Sequence, residues 1–397
     1  MKLAILLALL GFALCVQSSP PHGEELSYTI EHDVAHHGRF KRQMMKLGTK
    51  WEGGRVNYYF KDCRENEEKT MRAAMAYIGN RTCIQFIENP QSPQRMMIHS
   101  RPYSGCNAEV GAPGTMASPG GETVLAFANC PNIGGAVHEL SHSLGSFHEH
   151  ARPDRDDYLT VNEEEVKRSG QTKNMRKEHW GMVLFYVPFD YGSVMMYDTH
   201  AYGNEIMKPK QAEYERTMGN KRVSFYDIEK INKYYSCKCE KELPCDNGGY
   251  TSPSDCASCV CPKGFFGKLC NERPKQNSYE LAASSEWQSK EIRFNYTFTG
   301  DNFNYFSSSF AYINAPNNKS VEIQLSKLDN IVCQYGCNVN GIEIKTKEDI
   351  KIVSPIVCCP DQEFAGNVFV SKNNPTIIEM FSSTGTVATV GFNYRYV

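Results

Sequence analysis

The chain has 397 residues, room for roughly two or three domains, and its 43 Lys+Arg against 45 Asp+Glu leave a net charge of -2. That balance excludes the basic signature of a nucleic-acid or anionic-membrane binder. Residues 1–19, "MKLAILLALLGFALCVQSS", carry one early Lys, an apolar run from Leu3 to Val16, then small polar residues. They read as a secretory signal peptide cut near Ser18 or Ser19. The run is short for a bilayer span and no other long apolar stretch follows, so the expected product is secreted, extracellular and without a membrane span.

Of 16 Cys, Cys15 leaves with the signal, and the 15 that remain suit an oxidising compartment. The odd number leaves one thiol without a partner in the chain. Residues 20–42 are polar and end in Arg39, Lys41 and Arg42, an R-x-K-R pattern of the kind cut by furin-like processing proteases. They read as a removable pro-segment; the alternative is a solvated basic loop.

From Trp51 to Cys237 the pattern is mixed α/β. "RVNYYF" alternates as a strand does, and "ENEEKTMRAAMAYIG" places Met71, Ala74, Met75 and Ile78 on one helix face. "CIQFIE" and "RMMIHS" are strand-like. "GAPGTMASPGGETVLAF" is a Gly/Pro-rich turn running into a strand. "IGGAVHELSHSLG" reads as a helix ended by Gly145.

That helix carries the chemistry. His138 and His142 are four apart and project from one face, with Glu139 beside them. Gly145 lets the chain turn so that His148 returns as a third nitrogen. Three neutral imidazoles and an open position make a catalytic zinc site. Zinc acidifies its water, and Glu139 is placed to take the proton as that water attacks a carbonyl. A structural zinc site closes its fourth position with another His or Cys and has no use for Glu139. By chance H-E-x-x-H occurs in about 5% of chains of this length, and the full H-E-x-x-H-x-x-G-x-x-H in about one in ten thousand. His150, two residues on, reads as a surface residue or one supporting the ligands from behind.

The longer stretch "HELSHSLGSFHEHARPDRDDY" resembles the astacin family of zinc endopeptidases, within the metzincins, and "PFDYGSVMMY" resembles that family's Met-turn. The resemblance implies an α+β zinc metallopeptidase domain of metzincin type over 43–238, with one Zn2+ per chain. It makes Met195 the methionine beneath the zinc and Tyr197 the residue that swings to stabilise the oxyanion; Met196 stands where the family has His. In the pro-segment "IEHDV" resembles the family's F-x-G-D switch, with Ile30 for Phe, His32 for Gly and Asp33 as the zinc-blocking carboxylate; His32, His36 and His37 compete as ligands. Cutting after Arg42 exposes Gln43, whose ammonium the family pattern pairs with Glu149, although Gln43 can cyclise. In "MGNKRVSFYD" a basic residue selects an acidic side chain just after the scissile bond in the family, and whether Lys221 or Arg222 does so here is open. The same resemblance pairs Cys83 with Cys237 and Cys106 with Cys130, leaving Cys63 as the odd thiol. Cys63 follows a strand and precedes a charged helix start, so it is expected near the surface, capped or bridged to another chain; the alternative is a buried, inert thiol.

Residues 239–271 hold six Cys with "CDNGGY" and "CPKGFFGKLC" and resemble an EGF-like module, for which analogy gives Cys239–Cys256, Cys245–Cys259 and Cys261–Cys270. So short a segment needs bridges in place of a core. Residues 272–397 show period-two stretches between Asn/Gly/Ser turns, an all-β sandwich by pattern. The ending "GFNYRYV" resembles a divergent CUB domain; Cys333, Cys337, Cys358 and Cys359 are spaced unlike the common version. Asn80, Asn295 and Asn318 stand in N-x-S/T sequons and are candidate glycan sites.

Two functions follow. One is a secreted endopeptidase, made as a latent precursor, acting on proteins or peptides, extracellular matrix among them. The other is a non-catalytic binding protein using its C-terminal modules. His138, Glu139, His142, His148 and Tyr197 are all present, which favours the enzyme.

Overall fold

The computed structural model describes residues 44–46, 50–114, 121–128, 130, 132–296, 305–360 and 367–397. The expectations for the signal, Asp33, Arg42 and Gln43 therefore lie outside the described residues.

The N-terminal half is built on a five-stranded sheet in the order Gln85–Glu88, Arg55–Lys61, Arg95–His99, Glu122–Phe127, Cys106–Ala108. The first four strands are parallel, and Cys106–Ala108 closes the edge antiparallel to Glu122–Phe127. The helix Glu65–Gly79 starts at a capping box in which Glu67 returns a bond to the backbone of Arg64, and buries Met71, Ala74, Met75 and Ile78. Burying each Met or Ile contributes about 1.5–3 kcal/mol. The second helix, Ile133–Ser143, begins at Asn132, whose side chain accepts from the Gly135 N–H at 2.9 Å. Ala136, Val137 and Leu140 on its inner face join the first helix and the sheet in one core.

Beyond Ser143 the chain becomes irregular, with a second core of Leu159, Val166, Phe189, Tyr191, Met196 and Tyr214. After the short helix Glu163–Arg168 comes a third long helix, Phe225–Tyr235, which was not apparent as a helix in the sequence. Its signal is the pair Ser224 and Asp227, which form a full capping box. The disulfide Cys83–Cys237 ties its end to the first sheet. A second disulfide, Cys106–Cys130, links the edge strand to the entry of the active-site helix.

Three disulfides, Cys239–Cys256, Cys245–Cys259 and Cys261–Cys270, staple a small segment around the hairpin Tyr250–Thr251/Cys259–Val260. Residues from Ser278 onward form two sheets of five and four strands sharing a core of Ile292, Ile313, Ile323, Ile342, Met380 and Phe392. Three strands lie outside the period-two stretches, Ser278–Ala282, Ser307–Asn314 and Ile356–Val357. The first is short and the second opens on three serines, so neither reads as strand alone; both are held by neighbours in the five-stranded sheet. Here Cys333 pairs with Cys359 and Cys337 with Cys358. The sequon residues Asn80, Asn295 and Asn318 are exposed.

Among the described residues Cys63 is the free cysteine. It is half-buried, packed against the first core while still partly exposed, with Sγ 3.4 Å from the Ile98 carbonyl.

Candidate active site

His138 and His142 lie one turn apart on the second helix, both under a tenth exposed. The Nδ1 of His138 is 2.7 Å from the Val194 carbonyl, and that of His142 is 2.8 Å from the Ser146 carbonyl. Each Nδ1–H donates to its carbonyl, which fixes the tautomer and leaves Nε2 as a bare lone pair. Gly145, at φ 97°, turns the chain out of the helix, and its N–H donates to the His142 carbonyl at 2.8 Å. His148 then returns with its Nε2 3.2 Å from that of His138 and 3.1 Å from that of His142.

Two acceptors at that distance form no hydrogen bond with each other. The spacing matches a tetrahedral edge of roughly 3.3 Å for three nitrogens about 2.0–2.1 Å from one zinc ion. Burial holds all three imidazoles below their usual range, His142 to about 4 and the other two well below, so they are the neutral donors a metal requires. The residues fit zinc.

Glu139 is 4% exposed. Its Oε1 lies 3.2 Å from Cys106 Sγ, and Oε2 has no hydrogen-bond partner among the described residues. Burial pushes this carboxyl up to about 8, with the Lys221 charge pulling the other way. The Tyr197 ring is 4.4 Å from that of His148. Burial, aided by Tyr202, raises its hydroxyl well above the usual range, so it keeps its proton. Met195 is fully buried below the histidines, and its carbonyl accepts from the Glu149 N–H at 3.0 Å.

His150 is wholly buried, which rules out the surface alternative. The short 3-10 turn Glu149–Ala151 carries it inward, where its ring stacks 5.0 Å from His148 and 4.5 Å from Tyr197. Its Nε2 meets the Asn174 carbonyl at 3.1 Å. Glu149 is also buried, with Arg152 at 3.0 Å and the Asp190 N–H at 3.1 Å. A cleft of about 440 Å³ lies over these groups, bounded by Cys106–Ala108 on one wall and by Lys173, Asn174 and Arg176 on the other.

Sequence reasoning did not reach the groups beneath the Met-turn. Asp227 accepts from the Val194 N–H at 2.8 Å, from Ser193 Oγ at 2.6 Å and from Lys230 Nζ at 3.0 Å. The residue that orients His138 is thus itself held by a buried carboxylate on the third helix. The Ser224/Asp227 capping box was its only trace in the sequence.

The family model described as Astacin, a peptidase family, matches residues 43–236. Zinc metalloproteinase nas-24 of Caenorhabditis elegans is 46% identical over 376 residues, covering 94% of this chain and 93% of its own length. Zinc metalloproteinase nas-19 of the same organism is 48% identical with the same coverage. The chain belongs to the astacin family.

This astacin is a zinc metalloendopeptidase of protein substrates, with His138, His142 and His148 as the set that fits its zinc. Among solved structures, High choriolytic enzyme 1, a hatching enzyme zinc-protease from Oryzias latipes, is 26% identical with a TM-score of 0.41, over 49% of this chain and all of its own. No described helix is long and apolar enough to cross a membrane.

Proposed function

We propose that this astacin is secreted as a latent precursor and cleaves proteins with Glu139 as general base. The observation that carries the reading is the buried Oε2 of Glu139, without a hydrogen-bond partner among the described residues, beside three converging imidazole nitrogens. Zinc, when bound, supplies the Lewis acid that activates water and polarises the scissile carbonyl. Glu139 takes the proton of the attacking water and delivers it to the leaving amine. Tyr197, still protonated, donates a hydrogen bond from its hydroxyl to the carbonyl oxygen as charge builds there. Cys106–Ala108 is the edge of its sheet, so an extended peptide docks along it as an added strand.

Lys221 is the residue that selects an acidic side chain after the scissile bond. Its ammonium interacts with Glu139 and Asp198. Arg222 is unavailable, because it pairs with Glu379 at 2.5 Å and is 4% exposed.

Residues 1–19 are the signal and 20–42 the pro-segment, with Asp33 on the zinc until a furin-like cut after Arg42. Supporting this, Met44 is fully buried and bridged to Ser146, three residues before Glu149. Nearby Asp190 is pushed up to about 7 by burial and by the Asp227 and Glu149 carboxylates, a setting that a terminal ammonium at Gln43 relieves. Residues 239–271 are read as EGF-like and 272–397 as CUB-like, with glycans at Asn80, Asn295 and Asn318 and matrix proteins among the substrates.

Profiling a peptide library with the activated enzyme, beside an Arg42→Ala precursor, tests this. Chelator-sensitive cleavage before acidic residues is expected from the mature enzyme, and none from the uncut precursor. Full activity of Arg42→Ala removes the latency reading.

A further inference from the structure

The loop that carries Lys221 is not held by the peptidase domain alone. On one side it is wedged against the active-site helix: a Cβ added at Gly134 would lie 1.9 Å from the Lys221 carbonyl oxygen. On the other it meets the C-terminal sandwich. The Lys221 N–H donates to Asn338 Oδ1 at 2.7 Å. The Tyr305 hydroxyl donates to the Lys221 carbonyl at 2.8 Å and accepts from the Val223 N–H at 3.0 Å. A Cβ at Gly336 would lie 2.6 Å from the Gly219 carbonyl, so the two backbones abut. The turn holding Asn338 is pinned in turn by Cys337–Cys358 and Cys333–Cys359.

Every backbone bond made by the Lys221 peptide in these contacts thus ends on a side chain of another module. A lysine on four rotatable bonds selects poorly unless its backbone is fixed, because the entropy of ordering it is otherwise lost at each binding event. We propose that Asn338 and Tyr305 are positioning residues for Lys221, which makes the C-terminal sandwich part of the substrate-selecting apparatus. The proposal rests on the reading of Lys221 given above.

Two peptides that differ only in Asp or Ala after the scissile bond test it, with full-length mature enzyme and the variants Asn338→Ala, Tyr305→Phe and Lys221→Ala. Lys221→Ala is expected to abolish the preference for Asp. Asn338→Ala is expected to lower the Asp/Ala ratio of kcat/KM by about fivefold, the size of one lost hydrogen bond, and Tyr305→Phe, which loses two, by at least as much, chiefly through the aspartyl peptide. Melting temperature and zinc content are followed alongside. Should Asn338→Ala fail to fold, Tyr305→Phe, which removes a single oxygen, decides. An unchanged ratio, or equal losses on both peptides, overturns the positioning role while leaving Lys221 as selector. A preference that survives Lys221→Ala overturns the reading of Lys221, and the positioning role with it.

Discussion

Glu139 keeps one carboxylate oxygen buried and without a hydrogen-bond partner among the described residues, an arrangement that costs about 1–3 kcal/mol where no function uses it. Replacing it by Gln preserves shape and removes the proton acceptor. Glu139→Gln is expected to retain zinc and fold while kcat/KM on casein falls by about 10²–10⁴. Near wild-type cleavage by that variant would sink the mechanism. Cys63 is the opposite case, a reactive group made inert by its surroundings. Burial pushes its thiol up to about 11, with a backbone hydrogen bond at Lys61 pulling the other way. A thiolate is scarce at such a position near neutral pH. The mature protein is therefore expected as a monomer of unmodified mass whose single thiol alkylates slowly until denaturation. Rapid alkylation of the native protein, or a disulfide-linked dimer on a non-reducing gel, contradicts this.

At the scale of elements, the zinc helix and the Met-turn are joined by the third helix. Lys230 and Asp227 are each 1% exposed at the side chain and sit 3.0 Å apart. Removing one partner of such a pair costs about 3–5 kcal/mol, because the other charge is left buried. Asp227→Ala is expected to lower the melting temperature clearly. It is also expected to weaken zinc binding by about 10- to 100-fold, since Val194 then holds His138 less firmly. Unchanged zinc affinity, measured by competition with a chelating dye, counts against the buttress. The first two helices were legible in the sequence, one as a strip of Met71, Ala74, Met75 and Ile78, the other through its histidine spacing. The third was not. Its apolar positions Ile228 and Ile231 are interleaved with Glu229, Lys230 and Asn232, which are buried by tertiary packing. Even so, Phe225, Ile228, Ile231 and Tyr235 recur at helical spacing, so an apolar stripe was present in the sequence beside the capping box.

Across the whole molecule, Arg222 reaches from the peptidase into the sandwich, pairing with Glu379 at 2.5 Å and lying 3.8 Å from Glu343. Glu379 is 2% exposed, and burial alone raises its pKa. The charges of Arg222, Lys263 and Lys345 win, holding it down to about 2. A carboxyl depressed from 4.5 contributes stability above that pH and loses it as pH falls toward 2. The stability difference between wild type and Glu379→Gln is thus expected to be largest above about pH 4.5 and to shrink toward pH 2 in urea titrations. A difference independent of pH rejects this account of the junction.

The sequence by itself determined the zinc site. His138, Glu139 and His142 share one helix and His148 follows one glycine turn later, so local geometry places them wherever the helix packs. Only the tertiary structure set Lys221 and Arg222 in different surroundings. Adjacent residues of equal charge cannot be ranked by pattern. The two carboxylates that claim Arg222, Glu343 and Glu379, lie over 120 residues away in the chain. Packing brought those carboxylates to Arg222 and left Lys221, held through its backbone, with its charge acting on Glu139.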